Sequence, residues 1–197
     1  AWRGNFLFVI WSEYMTPPES AAAKPQLITP TFVLAWVANF CQFLVFYLFV
    51  TTMALYAVES FGASDTVGGF ASSAFVLGAT CMRVFSGWIV DRVGHKKAAL
   101  ASLAFVTLVA VAYFFAHNVA VLIIVRMVHG AAYALTSTAL MAVAQSVIPH
   151  ERRAEGTGYF ALGTTLATAF GPAIGLLLAN NIGYLSLLHI LTMPTNR

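Results

Sequence analysis

The stretch Gly87-Trp88-Ile89-Val90-Asp91-Arg92-Val93-Gly94-His95-Lys96-Lys97 sets one acid, four basic or potentially basic side chains and two glycines between two long apolar segments. Apolar runs of membrane length on both sides make this a tight turn at a bilayer surface. Asp91 falls at the end of the first helix, and Gly94 lets the chain reverse where a side chain would clash. Arg92, His95, Lys96 and Lys97 then face the headgroups.

Composition agrees with that reading. Of 197 residues, 60% are hydrophobic and 9% charged, and the mean hydropathy is +0.82. Too few polar side chains remain to coat a soluble globule of this size, so the chain belongs in a bilayer. The net charge of +3 does not imply a nucleic-acid partner, because the basic residues gather in two short loops between apolar runs. Cys41 and Cys81 fall inside predicted spans, where small apolar packers are expected. No His/Cys pair has metal-ligand spacing, so neither a metal site nor a disulfide is expected.

Residues 1–30 read as an N-terminal extension, expected to be disordered. The apolar run Phe6 to Trp11 is too short to span, and Pro17, Pro18, Pro25 and Pro30 interrupt any helix. Met15 offers an alternative start, which would leave residues 1–14 non-native. From Thr31 the apolar text predicts an all-α, polytopic membrane domain over 31–193. Its helices are expected at Thr31–Val58, Thr66–Val90, Ala98–Ala116, Val119–Ile148 and Thr157–Ala179. A sixth from Ile182 reaches only about Met193, too short to cross, and 194–197 form a tail.

Orientation follows from charge. The breaks Glu59–Asp65, His117–Asn118 and Asn180–Asn181 contain no lysine or arginine. Arg92, Lys96, Lys97, Arg152 and Arg153 all occupy the other two. The positive-inside rule predicts a cytoplasmic N-terminus and cytoplasmic basic loops. The third helix carries little more polar than Ser102, Thr107 or Tyr113 and is expected to face lipid. The others carry Asn39, Gln42, Arg83, Arg126, His129, Ser137, Gln145 and Thr164, so they need an interior to face.

Arg126 is the most informative of these. It lies well inside the fourth helix, where an arginine costs about 2.5 to 3.5 kcal/mol and needs a partner or a wet cavity. Gly130, Tyr133 and Ser137 share its helical face. Arg83, eight residues before Asp91, reads either as a snorkelling anchor or as part of a cavity. His129 either exchanges protons near neutral pH or fills a hydrogen bond beside Arg126. Every acid from Glu59 onward (Glu59, Asp65, Asp91, Glu151 and Glu155) sits at a helix end or loop. In the fifth helix Gly163, Ala167, Gly171 and Gly175 recur every four residues, clearing a face for a close neighbour, with Pro172 beside it.

The opening stretch resembles the signature loop between the second and third helices of major facilitator superfamily transporters, G-x-L-a-D-r-x-G-r-k. Gly87, Asp91, Arg92, Gly94 and Lys96 match, while Ile89 and His95 depart from it. R-M-V-H-G-A-A-Y-A, from Arg126 to Ala134, resembles the fourth-helix motif R-x-x-q-G-x-g-a-A. Arg126, Gly130, Ala131 and Ala134 fit; His129 and Tyr133 depart. The fifth-helix text resembles the exporters' antiporter motif G-x-x-x-G-P-x-x-G. Gly171, Pro172 and Gly175 match, and Ala167 stands in place of glycine.

The resemblance implies one half of a twelve-helix fold that rocks about a midplane site, with the carboxyl-terminal half as the missing partner. It implies that Arg126 takes part in proton coupling. It also implies that Asp91 latches onto a helix end of the other half. The cavity is expected to be lined by Asn39, Gln42, Phe46, Arg83, Arg126, Tyr133 and Ser137. The function expected is a proton-coupled exporter of small, partly apolar molecules in a plasma membrane, such as a bacterial inner membrane. It would have the lipid bilayer and a small-molecule substrate as partners and no cofactor beyond the proton gradient. The alternative is a non-transporting fragment that packs against another chain. An enzyme is not expected, since neither G-x-S-G beside a membrane histidine nor H-E-x-x-H occurs.

Overall fold

The computed structural model describes residues 25–182, with side chains through residue 178. Within them lie five long helices and no strand. They are α1 (Pro30–Phe61), α2 (Asp65–Val93), α3 (His95–Val111), α4 (Val119–Val147) and α5 (Arg153–Ile182). A 3₁₀ turn at Ala112–Phe115 extends α3, and another at His150–Arg152 leads into α5. All five are long and apolar enough to cross a membrane. The expected sixth span and tail, and most of the N-terminal extension, lie outside the described residues.

Local chemistry sets the ends. Thr29 Oγ1 accepts from the Phe32 amide at 3.2 Å, with Pro30 in the first turn where its missing N–H costs nothing. Gly62 closes α1 at φ +62°. Ser64 and Asn118 cap α2 and α4 through the amides of Val67 and Val121. Gly94 alone separates α2 from α3, at φ +92°. The expected reversal at this glycine is therefore present, compressed to one residue.

Helices run past the predicted ends of the apolar text. His95, Lys96 and Lys97 form the first turn of α3, and Arg153 opens α5, where loop residues were expected. Hydropathy marks where hydrocarbon ends, whereas backbone hydrogen bonding carries a helix onward into the headgroups. α1, at 32 residues, exceeds the roughly 30 Å hydrocarbon thickness at about 1.5 Å per residue.

Packing is uneven. The most extensive contact is α2 against α4, followed by α1 against α5 and α3 against α4. α1 bridges to both α2 and α4, while α4 and α5 touch sparingly. One apolar core gathers Phe32, Val90, Leu140, Val143 and Phe160 near the basic turns. Another gathers Phe49, Met53, Ala71, Tyr113 and Leu122 at the opposite end. Between them Phe75, Tyr133 and Ala134 pack with Phe43 and Phe46.

Two glycines make the α2–α4 contact possible. A Cβ on Gly130 would strike the Phe75 carbonyl oxygen, and one on Gly78 would strike the Met127 backbone. The α5 stripe works likewise against α1. Gly171 faces the Tyr47 Cβ and the Leu44 carbonyl, Gly175 faces Thr51 and Leu48, and Gly163 lies under the Trp36 ring. Close backbone approach replaces the hydrophobic drive that is missing between helices in lipid. α5 continues as helix through Pro172. Cys41 and Cys81 are exposed on the outside of the bundle rather than packed inside it, a correction to their expected place.

Gly130→Ala is expected to destabilise the bundle by about 1 to 3 kcal/mol through overpacking. Gly87→Ala, where an added Cβ meets nothing within 4 Å, is expected to be neutral or to gain up to about 1 kcal/mol. Thermal unfolding in detergent micelles, followed by helical circular dichroism, distinguishes the two.

Candidate functional site: a polar cavity between the fourth and fifth helices

The sparse contact between α4 and α5 leaves a cavity of about 470 Å³, closed behind by α1 and bordered by Arg83 of α2. Its polar lining is Asn39, Ser137, Thr138, Thr164, Thr165 and Arg83, and its apolar lining includes Phe43, Met141 and Phe160. Several of these polar groups are held in place. Asn39, buried, donates to Thr164 Oγ1 at 3.3 Å. Ser137 Oγ and Thr138 Oγ1 donate to the Ala134 carbonyl at 3.1 and 2.8 Å. Ser86 and Thr138 share a hydrogen bond of 3.1 Å that ties α2 to α4. Arg83 itself is exposed; its carbonyl accepts from Ser86 Oγ at 3.0 Å, and its guanidinium makes no hydrogen bond or ion pair among the described residues.

A second crevice, of about 280 Å³, lies on the other side of the bundle between α1 and α3. Gln42, Phe46, His129 and Tyr133 reach it, but half of its lining residues are alanine, valine, leucine or cysteine. The residues expected to line one cavity thus divide. Asn39, Arg83 and Ser137 meet at the polar cavity, whereas Gln42, Phe46 and Tyr133 belong to the opposite side. Gln42 Nε2 donates to the Tyr133 carbonyl at 2.8 Å, a bond that joins α1 to α4.

Arg126 lines neither cavity. It is fully buried, and of the two environments the sequence allowed, partners rather than water surround it. Nε donates to the Ala71 carbonyl at 3.3 Å and Nη2 to the Ser72 carbonyl at 2.9 Å, while the buried Nη1 has no hydrogen-bond partner among the described residues. The guanidinium lies 4.9 Å from the Phe75 ring centroid. Hydrogen bonds to a charged group contribute about 1.5 to 3 kcal/mol each, and a desolvated cation–π contact about 2. Together they offset the insertion cost of the charge. His129, also buried, meets the Tyr113 hydroxyl through Nδ1 at 3.0 Å.

Phe75 carried no signal in the sequence, yet it organises this region. Its ring contacts Phe46 at 5.0 Å, Tyr133 at 5.1 Å and His129 at 5.4 Å as well as Arg126. Only its helical register with Ala71 and Gly78 hinted at an inward face. Gly78 was equally unmarked until its contact with α4 was seen.

The surface turn keeps its charges in water. Asp91 is 80% exposed and meets His95 at 3.9 Å. Arg92 lies over the Trp88 ring at 5.1 Å, while Gly87 and Lys96 are exposed. At the same end of the bundle Arg152 pairs with Glu155 through two bonds of 2.7 and 2.9 Å and donates to the Pro25 carbonyl.

In a background with Cys41 and Cys81 replaced by alanine, Arg83→Cys is expected to react with a membrane-impermeant maleimide in proteoliposomes made accessible from both faces. Arg126→Cys is expected to label at least about tenfold more slowly, as a group closed off from water. Mass spectrometry of the labelled protein reads the difference.

The model of the Major Facilitator Superfamily matches residues 35–194. The staphylopine export protein of Staphylococcus aureus is 30% identical over 131 residues, covering 66% of this chain and 33% of that protein. An uncharacterized protein of Mycobacterium tuberculosis is 38% identical over 101 residues, 51% of this chain and 24% of its own length. An uncharacterized protein of Mycobacterium bovis matches to the same extent. The matched stretch thus amounts to a third or less of each relative. With five helices of membrane-spanning character and a family match over most of its length, this multi-pass membrane chain belongs to the Major Facilitator Superfamily.

Proposed function

We propose that the chain is one half of a secondary active transporter, a proton-coupled exporter of small, partly apolar molecules. The observation that carries this is the polar cavity of about 470 Å³ inside a bundle of membrane-length helices. Half-buried hydroxyls and an unpaired guanidinium on membrane-length helices are expensive in lipid and are retained where solute or water passes. Export as the direction is supported by the Gly171-Pro172-Gly175 pattern and by the staphylococcal relative, an export protein. Both basic turns lie at one end of the bundle with Pro30, which supports a cytoplasmic N-terminus in a plasma membrane.

For coupling, His129 beside Arg126 is the candidate proton carrier at mid-depth, with the Tyr113 hydroxyl as its neighbour. No acidic residue lies in the middle of α1–α5. Arg126 acts by holding α2 and α4 in register around that pair. Asp91, exposed at the end of α2, acts as the latch that engages the positive end of a helix from the remainder of the transporter. Such an attraction is worth up to about 2 kcal/mol.

Flux into proteoliposomes carrying the product of the complete reading frame, under an imposed proton gradient, tests the assignment. Solute accumulation that collapses with the gradient is expected; accumulation indifferent to it refutes proton coupling. Asp91→Asn is expected to lower turnover about tenfold, in keeping with the loss of up to about 2 kcal/mol, while membrane insertion is unchanged. Wild-type turnover in that variant removes the latch.

A further inference from the structure

We infer that the cavity between α4 and α5 takes a small organic anion, its carboxylate held at Arg83 and its apolar body against Phe43, Met141 and Phe160. The inference rests on the transporter reading for its location and adds the substrate class. Among the described residues that border the cavity Arg83 is the sole charge, and none is aspartate or glutamate. On the elements around it, the acids are Glu59 and Asp65 at the far end, Asp91 two helical turns along α2, and Glu155, which pairs with Arg152. Asp91 is about 12 Å from Arg83 by helical rise and meets His95.

A guanidinium keeps its charge in any accessible environment and presents a planar fork suited to a carboxylate. The flanking Ser137, Thr138 and Thr164 hydroxyls already donate to, or accept from, protein groups. Thr164, which accepts from Asn39, keeps its O–H to donate to a carboxylate oxygen, whereas Ser137 and Thr138 spend theirs on the Ala134 carbonyl. Nothing in this lining would neutralise an ammonium, so a cationic solute would meet uncompensated repulsion from Arg83 in a cavity with low-dielectric walls. The aromatic and thioether side of the wall suits a ring or short chain, so the ligand class is an amphiphilic carboxylate.

Equilibrium binding of three matched probes, 2-naphthoate, 2-naphthamide and 2-naphthylmethylammonium, to the complete protein in phosphatidylcholine nanodiscs tests the inference. Naphthoate is expected to bind tightest, and Arg83→Gln to weaken it about tenfold or more while changing naphthamide less than about twofold. Arg83→Lys should restore part of the loss. Thr164→Ala, which leaves the charge in place, should cost naphthoate several-fold less than Arg83→Gln. Equal binding of naphthoate and naphthamide, tighter binding of the ammonium, or indifference to Arg83→Gln overturns the inference. So does abolition of Arg83-dependent binding by phosphatidylglycerol in the nanodisc, since the anion held would then be a lipid headgroup. Flux separates this from the transporter reading: Arg83-dependent naphthoate binding without gradient-driven transport supports the anion site and removes the transporter. Transport that prefers the ammonium keeps the transporter and removes the anion site.

Discussion

One buried guanidinium governs the architecture. Arg126 is enclosed between α2 and α4, and a charge is tolerable there because Nε and Nη2 reach backbone carbonyls of the adjacent helix and the Phe75 ring covers the group. Those contacts require the two backbones to be nearly in touch, which Gly78 and Gly130 permit. Charge and glycine are therefore one device. The glycines bring α2 close enough for its carbonyls to receive Nε and Nη2, and the arginine makes any other register of the two helices expensive.

A second seam of the same kind joins α1 to α5, where Gly163, Gly171 and Gly175 meet Trp36, Tyr47 and Thr51. The bundle is thus two close-packed pairs, with α3 against α4 and α1 linking the pairs. The polar cavity occupies the place where no such seam exists, between α4 and α5. Its hydroxyls and its arginine sit where helix packing is not asked to exclude solvent.

Five helices, their order and the surface turn were legible in the sequence because hydropathy and charge vary strongly along this chain. Gly94 and the α5 glycines were legible for the same reason, as breaks in a uniform apolar text. Helix ends were displaced outward at His95 and Arg153, since hydropathy reports solvent and not backbone hydrogen bonding. The lining of the cavity was only half legible. Asn39 and Gln42 are three residues apart on α1, a spacing that suggests one face, yet they bond to different helices, α5 and α4. Phe75 was invisible because one phenylalanine among 16 has no distinguishing pattern. Its importance comes from what the fold sets around it. Arg126 showed the limit most plainly: its depth was readable, but whether water or carbonyls would receive it depends on the neighbouring backbone.

The thin contact between α4 and α5 also has a mechanical meaning. Compliance in this bundle is concentrated where α5 and α1 meet α4, a line crossed by the Gln145–Thr157 link at 2.7 Å and the Gln42–Tyr133 link at 2.8 Å, whereas the Asn39–Thr164 bond lies within the α1–α5 pair. At the two glycine seams a small tilt would drive backbone into backbone. Widening the chamber leaves both glycine seams intact, but it exchanges the Gln145–Thr157 and Gln42–Tyr133 hydrogen bonds for water and slides α1 across α2 and α4, contacts less extensive than either seam.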